Sequence, residues 1–372
     1  MNILFITNHL NVGGISSYLL TLTSGLKQKG HQIYLASSGG ELEGKFIQAG
    51  ITLFKVPLKT KNEISYKILL SFWKLRSLVL ESNIDLIHSH SRTTQVLADL
   101  LSRVLGKPHV FTCHGFFKPK IFRQIFGCWG QRIIAVSQQV KEHLIKDFKL
   151  NKFKISVVCN GVDIKNFGDS SNKDKLRRQL SISTDFFVGI IARLSDVKGH
   201  TYLIQAMSEV IKEFPQSKLL IVGQGKTKDA LTRQVNDLGL EASILFIPEI
   251  EDTKNLLVAM DIFVMPSLQE GLGLALMEAM AQGIPVVGSA VGGIKTLIQD
   301  KKNGLLVAPA DSAALAGAII TLLNDAALRR ALGGAARKFI IDNFSKEKMV
   351  NETEIVYQQV LAGMDRPGSE IE

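Results

Sequence analysis

Cysteine is scarce in this chain: Cys113, Cys128 and Cys159 are an odd number in 372 residues and share no paired spacing. That argues against a disulfide framework or a cysteine zinc site and fits core thiols in a reducing cytoplasm. Long apolar runs are missing too. None approaches the roughly twenty residues of a membrane span, and the opening NILFIT is a strand without a basic leader, so neither a transmembrane helix nor a signal peptide is expected. No internal repeat or low-complexity tract stands out. Asp-any-Asp, a common grip for a divalent metal, occurs nowhere, and metal-independent chemistry is expected. Acids are few in the first half: Met1 to Lys165 holds 22 Lys plus Arg against 9 Asp plus Glu, a net +13, while the remainder is −3 by 22 against 25.

What the chain has in abundance is alternation. Short apolar runs predict strands at 3–7, 32–37, 52–56, 85–90, 109–113, 133–136 and 156–159, then at 187–191, 219–222, 244–247, 262–265, 286–288 and 305–307. Helical stretches fill the gaps, the pattern of parallel sheets wound by right-handed crossovers. The polar stretch DSSNKD, 169–174, marks a linker region. The reading is α/β, with an N-terminal Rossmann-like domain 1–165, a C-terminal one 166–344 and a disordered tail 363–372.

The densest chemistry lies in MPSLQEGLGLALMEAMAQGIPVV, Met265 to Val287. Pro266 and Ser267 break a buried strand, and Leu274 to Gln282 fits a helix stopped by Gly283 and Pro285. Glu270 then sits in the loop and Glu278 on the helix. Gly271 and Gly273, with Leu272 between them, leave N–H groups unobstructed at a helix N-terminus, where the dipole favours phosphate or sugar oxygens. Two carboxylates could also serve a glycosidase as acid and nucleophile, although a phosphate-binding loop has no role in simple hydrolysis.

Glu, seven residues, then Glu in this setting resembles the signature of retaining glycosyltransferases of family four, with the GT-B fold. The resemblance extends to Arg193 and Lys198 in FFVGIIARLSDVKGH, to Gly13 and Gly14, to His114 in FTCHG, to Asn160 in NGVD, and to Gly223 and Gly225 in LLIVGQGKT. Such matches run from residue 13 to about residue 310. The family implies two Rossmann-like domains whose parallel sheets face a central cleft, with a final helix, 345–362, packing back on the first domain. By the same resemblance Arg193 and Lys198 hold the donor diphosphate and stand in for a metal. Glu278 takes the ribose hydroxyls, Glu270 faces the donor sugar, and His114 lies near its outer hydroxyls. Gly13, Gly14, Asn160, Gly223, Gly225, Ile250 and the 271–273 amides complete the donor site, with Pro248 to Glu251 near the base. His88 and His90 are left as packing or polar rim. No cofactor is implied beyond the nucleotide-diphosphate sugar.

Two motifs in the same sequence point elsewhere and fail. IVGQGKT ends like a P-loop, but Leu220 stands where the first glycine is required. Lys228 occupies the third glycine of a dinucleotide fingerprint, which weakens NAD binding. A nucleotide-sugar epimerase on the same fold, or a non-catalytic sugar-nucleotide binder, remains the alternative.

Basic and aromatic residues coincide in FFKPKIFRQIFGCWGQR, Phe116 to Arg132, which has no acid. An interfacial amphipathic segment, a single-stranded nucleic-acid site and an ordinary surface helix all fit that composition. ISYKILLSFWKLRSLVL reads as a core-packed crossover helix. The sequence therefore leads to a cytoplasmic enzyme, peripheral at the inner face of the cytoplasmic membrane. It is expected to move a sugar to a lipid-linked or cell-envelope glycan such as lipopolysaccharide, with an anionic membrane as partner through Phe116–Arg132 and no nucleic acid.

Overall fold

Among the described residues, thirteen short strands pair, all in parallel, into two sheets. The computed structural model describes residues 1–60, 62–63, 65–119, 123, 126–168, 173–179, 186–248 and 253–364. In order, the strands are β1 (Asn2–Ile6), β2 (Gln32–Ser37), β3 (Thr52–Lys55), β4 (Leu86–Ser89), β5 (His109–Cys113), β6 (Arg132–Ala135), β7 (Ile155–Val157), β8 (Phe187–Ile191), β9 (Lys218–Val222), β10 (Ile244–Ile247), β11 (Ile262–Met265), β12 (Val286–Ser289) and β13 (Leu305–Val307). Each lies within two residues of a run read from sequence. β4, β5, β11 and β12 are buried along their whole length. Their apolar stretches, Leu86–Ile87, Val110–Phe111, Ile262–Met265 and Val286–Val287, made them legible.

The chain divides into two compact units, Met1–Gly161 with Lys346 onward, and Val162–Ser345. The first holds the seven-stranded sheet, in the order β3-β2-β1-β4-β5-β6-β7. Alternate residues of β1 feed opposite faces. Ile3 and Phe5 join Tyr18, Leu22 and Leu26 of the helix Gly14–Gln28 and Tyr357 of the helix Lys346–Met364. Gly25 is required there, because a Cβ would run into the side chain of Val350. Leu4 and Ile6 pack instead with Ile68, Phe72 and Leu75 of the helix Tyr66–Glu81 and Leu97 and Leu101 of the helix Arg92–Leu105. The latter starts at a Ser91–Thr94 capping box and ends at a left-handed Gly106.

The second unit holds the six-stranded sheet, in the order β10-β9-β8-β11-β12-β13. Val188, Ile190 and Val264 pack against the helices His200–Glu213 and Ser312–Asn324. No single helix among the described residues is long and apolar enough to cross a membrane. In each sheet the winding reverses beside the first strand, between β1 and β4 and between β8 and β11. Crevices at the carboxyl ends of such strands are where open α/β sheets bind ligands.

Candidate active site

At the second unit's reversal, the loops leaving β8 and β11 are joined by backbone. Leu268 N–H donates to the Val197 carbonyl at 2.8 Å. Gly199 takes φ +69°, and a Cβ there would overlap the Pro266 carbonyl oxygen. That close approach brings Lys198 and Glu270, 72 positions apart in sequence, into an ion pair. The Lys198 and Glu270 side chains are 20% and 12% exposed, so the pair is largely shielded from water. Ser267 Oγ lies 3.5 Å from the same carboxylate oxygen. An ammonium has three donors and one is committed to Glu270, leaving two for a ligand.

The Glu270 backbone is held from a third loop, the one leaving β12. Gly293 N–H donates to the Glu270 carbonyl at 3.0 Å. Gly292, at φ +43°, and Gly293 lie so close that a Cβ on either would strike the 270–272 backbone. This pair of glycines is a site element that sequence reading missed; the Gly-Gly directly after a buried strand was its only signal. Gly273 then enters the helix Leu274–Gln282 in a left-handed conformation, φ +97°. No side chain among the described residues caps this helix, so the N–H groups of its first turn have neither a carbonyl one turn earlier nor a side-chain cap there. Glu278 lies on that helix with Thr253 Oγ1 at 3.4 Å.

Arg193, expected beside Lys198, is exposed and has no side-chain hydrogen bond among the described residues. Its loop is braced by Gly223 and Gly225. Leu194 N–H donates to the Gln224 carbonyl at 2.9 Å, and a Cβ on either glycine would collide with the carbonyl of Ala192 or Leu194. The structure thus gives Gly223 and Gly225 a reason that is internal to the protein, the close packing of two loops. Ile250 lies outside the described residues.

In the first unit, Gly13 takes φ +148° at the start of the helix Gly14–Gln28, which has no side-chain cap and no acid in its first turn. A Cβ on Gly14 would meet nothing within 4 Å, so that end stays open to a close approach. His114 follows β5. Its Nε2 is 3.2 Å from Nδ1 of His90, and its ring stands edge-on to Tyr18 at 4.8 Å between centroids. Asn160 is buried, with its Oδ1 unpartnered among the described residues.

Residues 12–166 match the family model Glycosyltransferase Family 4, and 172–339 match that of Glycosyl transferases group 1. A D-inositol 3-phosphate glycosyltransferase of Salinispora arenicola is 30% identical over 320 residues, which cover 77% of this chain and 71% of the relative. The chain belongs to glycosyltransferase family 4. The UDP-Gal:alpha-D-GlcNAc-diphosphoundecaprenol alpha-1,3-galactosyltransferase of Escherichia coli is 29% identical over 330 residues, 84% of this chain and 85% of that enzyme. Anabaena HepE, solved with UDP-glucose, matches with a TM-score of 0.85 at 25% identity, covering 96% and 100% of the two chains. The two parallel sheets are those of the GT-B fold.

His114 of this glycosyltransferase is one of four clustered imidazoles. His88 donates or accepts at both nitrogens, 2.6 Å from Tyr357 Oη and 2.7 Å from Thr112 Oγ1, and His109 Nε2 lies 2.8 Å from Ser89 Oγ. His88, His90 and His109 are buried, not at a rim, because β4 and β5 carry them into the middle of the sheet. Burial lowers His109 and His114 to about 3, and burial with neighbouring imidazoles puts His88 and His90 well below the usual value. The histidines are therefore neutral at working pH. Unfolding restores a pKa near 6.5, so the denatured chain binds protons that the native one excludes. The resulting stability is complete above pH 6.5 and is lost as pH falls toward 3. Going from pH 7 to 5 should cost about 2 kcal/mol for each of His109 and His114. Both tryptophans, Trp73 and Trp129, lie in the first unit, so their emission in urea reports it selectively. An unchanged midpoint at pH 5 would contradict the neutral cluster.

The stretch Phe116–Arg132 is more inward than its composition suggested. Trp129 meets Phe111 and Phe148 edge-on at 5.8 and 5.2 Å, and Phe117 stacks on Phe111 at 6.2 Å. Arg123 is ion-paired to Glu63, which also takes Arg92. The acid that neutralises it comes from a distant part of the sequence. Lys118 and Phe126 remain exposed, while Lys120 and Phe122 lie outside the described residues.

Proposed function

We propose that this glycosyltransferase is a retaining, metal-independent enzyme that moves a sugar from a nucleotide-diphosphate sugar to a lipid-linked or cell-envelope glycan acceptor. The observation that carries the donor side is the Lys198–Glu270 pair set just before a helix N-terminus with no side-chain cap, with Arg193 exposed on the same loop as Lys198. Two cations and a helix dipole suit a diphosphate, and a carboxylate held in place suits sugar hydroxyls or positive character at the anomeric carbon. The attacking acceptor oxygen bonds to the anomeric carbon as the bond from that carbon to the phosphate oxygen breaks. The acceptor's proton passes to the departing phosphate, so no separate base is needed. A UDP-sugar is the first donor to try, because the E. coli relative is named for UDP-Gal and HepE was solved with UDP-glucose. The E. coli name also supports a lipid-linked acceptor.

Calorimetry with a panel of nucleotide sugars, followed by product mass for each binder, tests the reading. A product heavier by one glycosyl unit with unchanged anomeric configuration is expected. An epimerised sugar nucleotide, or binding without turnover, would overturn it. In this reading Arg193 and Lys198 neutralise the charge that grows on the departing diphosphate. Transfer should persist at nearly full rate in excess EDTA. Activity lost on chelation and restored by Mn²⁺ or Mg²⁺ would count against that assignment.

A further inference from the structure

The helix Tyr66–Glu81 has two apolar faces, and the described residues cover only one. Ile68, Phe72, Leu75, Leu78 and Val79 are buried in the first unit's core. On the other side Tyr66, Leu69, Leu70, Trp73 and Leu80 stand 68%, 57%, 50%, 64% and 48% exposed. Steps of three, four and seven residues place them in one stripe, where a helix bounded by water carries charge. Lys67, Lys74 and Arg76 flank the stripe, and no acid occurs from Tyr66 to Leu80. Reading the segment as a core-packed crossover helix accounts for its inner face alone.

We propose that this outer face docks on an anionic phospholipid bilayer. Charge complementarity selects that occupant: the three cations lie where lipid phosphates would meet them, and the surrounding first-half sequence carries +13. Tyr66 and Trp73 are amphipathic rings of the kind that settle at headgroup level, and Leu69, Leu70 and Leu80 supply apolar surface to bury beneath them. The packed inner face presents the stripe preformed, so docking orders no new element. Docking here deepens the proposed lipid-linked acceptor and rests on that reading for its purpose, while its measurement needs neither donor nor acceptor.

Flotation of the full chain with phosphatidylglycerol vesicles, against phosphatidylcholine vesicles as reference, tests it. Wild type should float with the anionic lipid, and brominated phosphatidylglycerol should quench Trp73 emission. Leu69→Glu with Trp73→Glu should lower partitioning by at least about tenfold, and Lys74→Glu with Arg76→Glu should do so as well at low salt. Phe126→Ser, in the other basic stretch, should leave it unchanged. An unaltered far-ultraviolet circular dichroism spectrum and urea midpoint in each variant certify the fold. Equal flotation of L69E/W73E and wild type overturns the proposal, as does a wild type that ignores vesicles. A dimer in analytical ultracentrifugation that L69E/W73E dissociates, without vesicle binding, assigns the face to a second copy and also overturns it. An enzyme that floats but glycosylates only water-soluble acceptors retires the lipid-linked acceptor and leaves the docking face standing.

Discussion

Replacing Lys198 with Ala should weaken nucleoside-diphosphate binding by on the order of 2 kcal/mol, roughly thirtyfold, with transfer reduced at least as much. Two effects add. The variant loses a charge-assisted contact to phosphate, and it leaves Glu270 without its cation in a position only 12% exposed. An unpaired carboxylate there would repel the incoming diphosphate. Adding Glu270→Gln to Lys198→Ala should therefore recover part of the binding while transfer stays low. A nucleoside monophosphate should suffer less than the diphosphate. Titration calorimetry of all three proteins with both nucleotides decides the matter, and equal losses for mono- and diphosphate would remove Lys198 from the diphosphate site.

Gly292→Val should be the other severe change, although Gly292 touches no ligand in the proposed reading. Its positive φ disfavours a branched side chain, and a Cβ would press on the Glu270 carbonyl, next to the hydrogen bond from Gly293. The Glu270 loop must give way. Displacing a site group by about 1 Å can cost on the order of a hundredfold in rate, so kcat should fall by about that factor. Loss of Glu270 geometry, not of the fold, is the expected cause, and the second unit should still unfold cooperatively. A kcat within about threefold of wild type would show that the third loop does not position Glu270.

The local signals in the sequence proved sufficient for the elements. A parallel strand buried on both faces favours an apolar run such as IFVM, and a glycine that ends a helix tolerates positive φ, so β11, the helix Leu274–Gln282 and its stop at a left-handed Gly283 were all legible. Glu270, Glu278, Arg193 and Lys198 could be singled out because their spacing and setting resemble the family's signature, the two cations suiting a diphosphate and the two carboxylates sugar hydroxyls. The helix Tyr66–Glu81 was only half legible: its apolar residues run almost all the way round, and composition could not say which of them the sheet covers.

The succession of strand and helix could be read along the chain, because it follows from periodicity and backbone conformation within short windows. Which distant groups meet depends on how the folded loops pack. The Lys198–Glu270 pair depends on Gly199 lying against Pro266, the hold on Glu270 depends on Gly292 and Gly293, and the bond from His88 to Tyr357 spans 269 positions. Such meetings are fixed by strand order and by loop-to-loop backbone contacts, which leave no periodic trace in the chain.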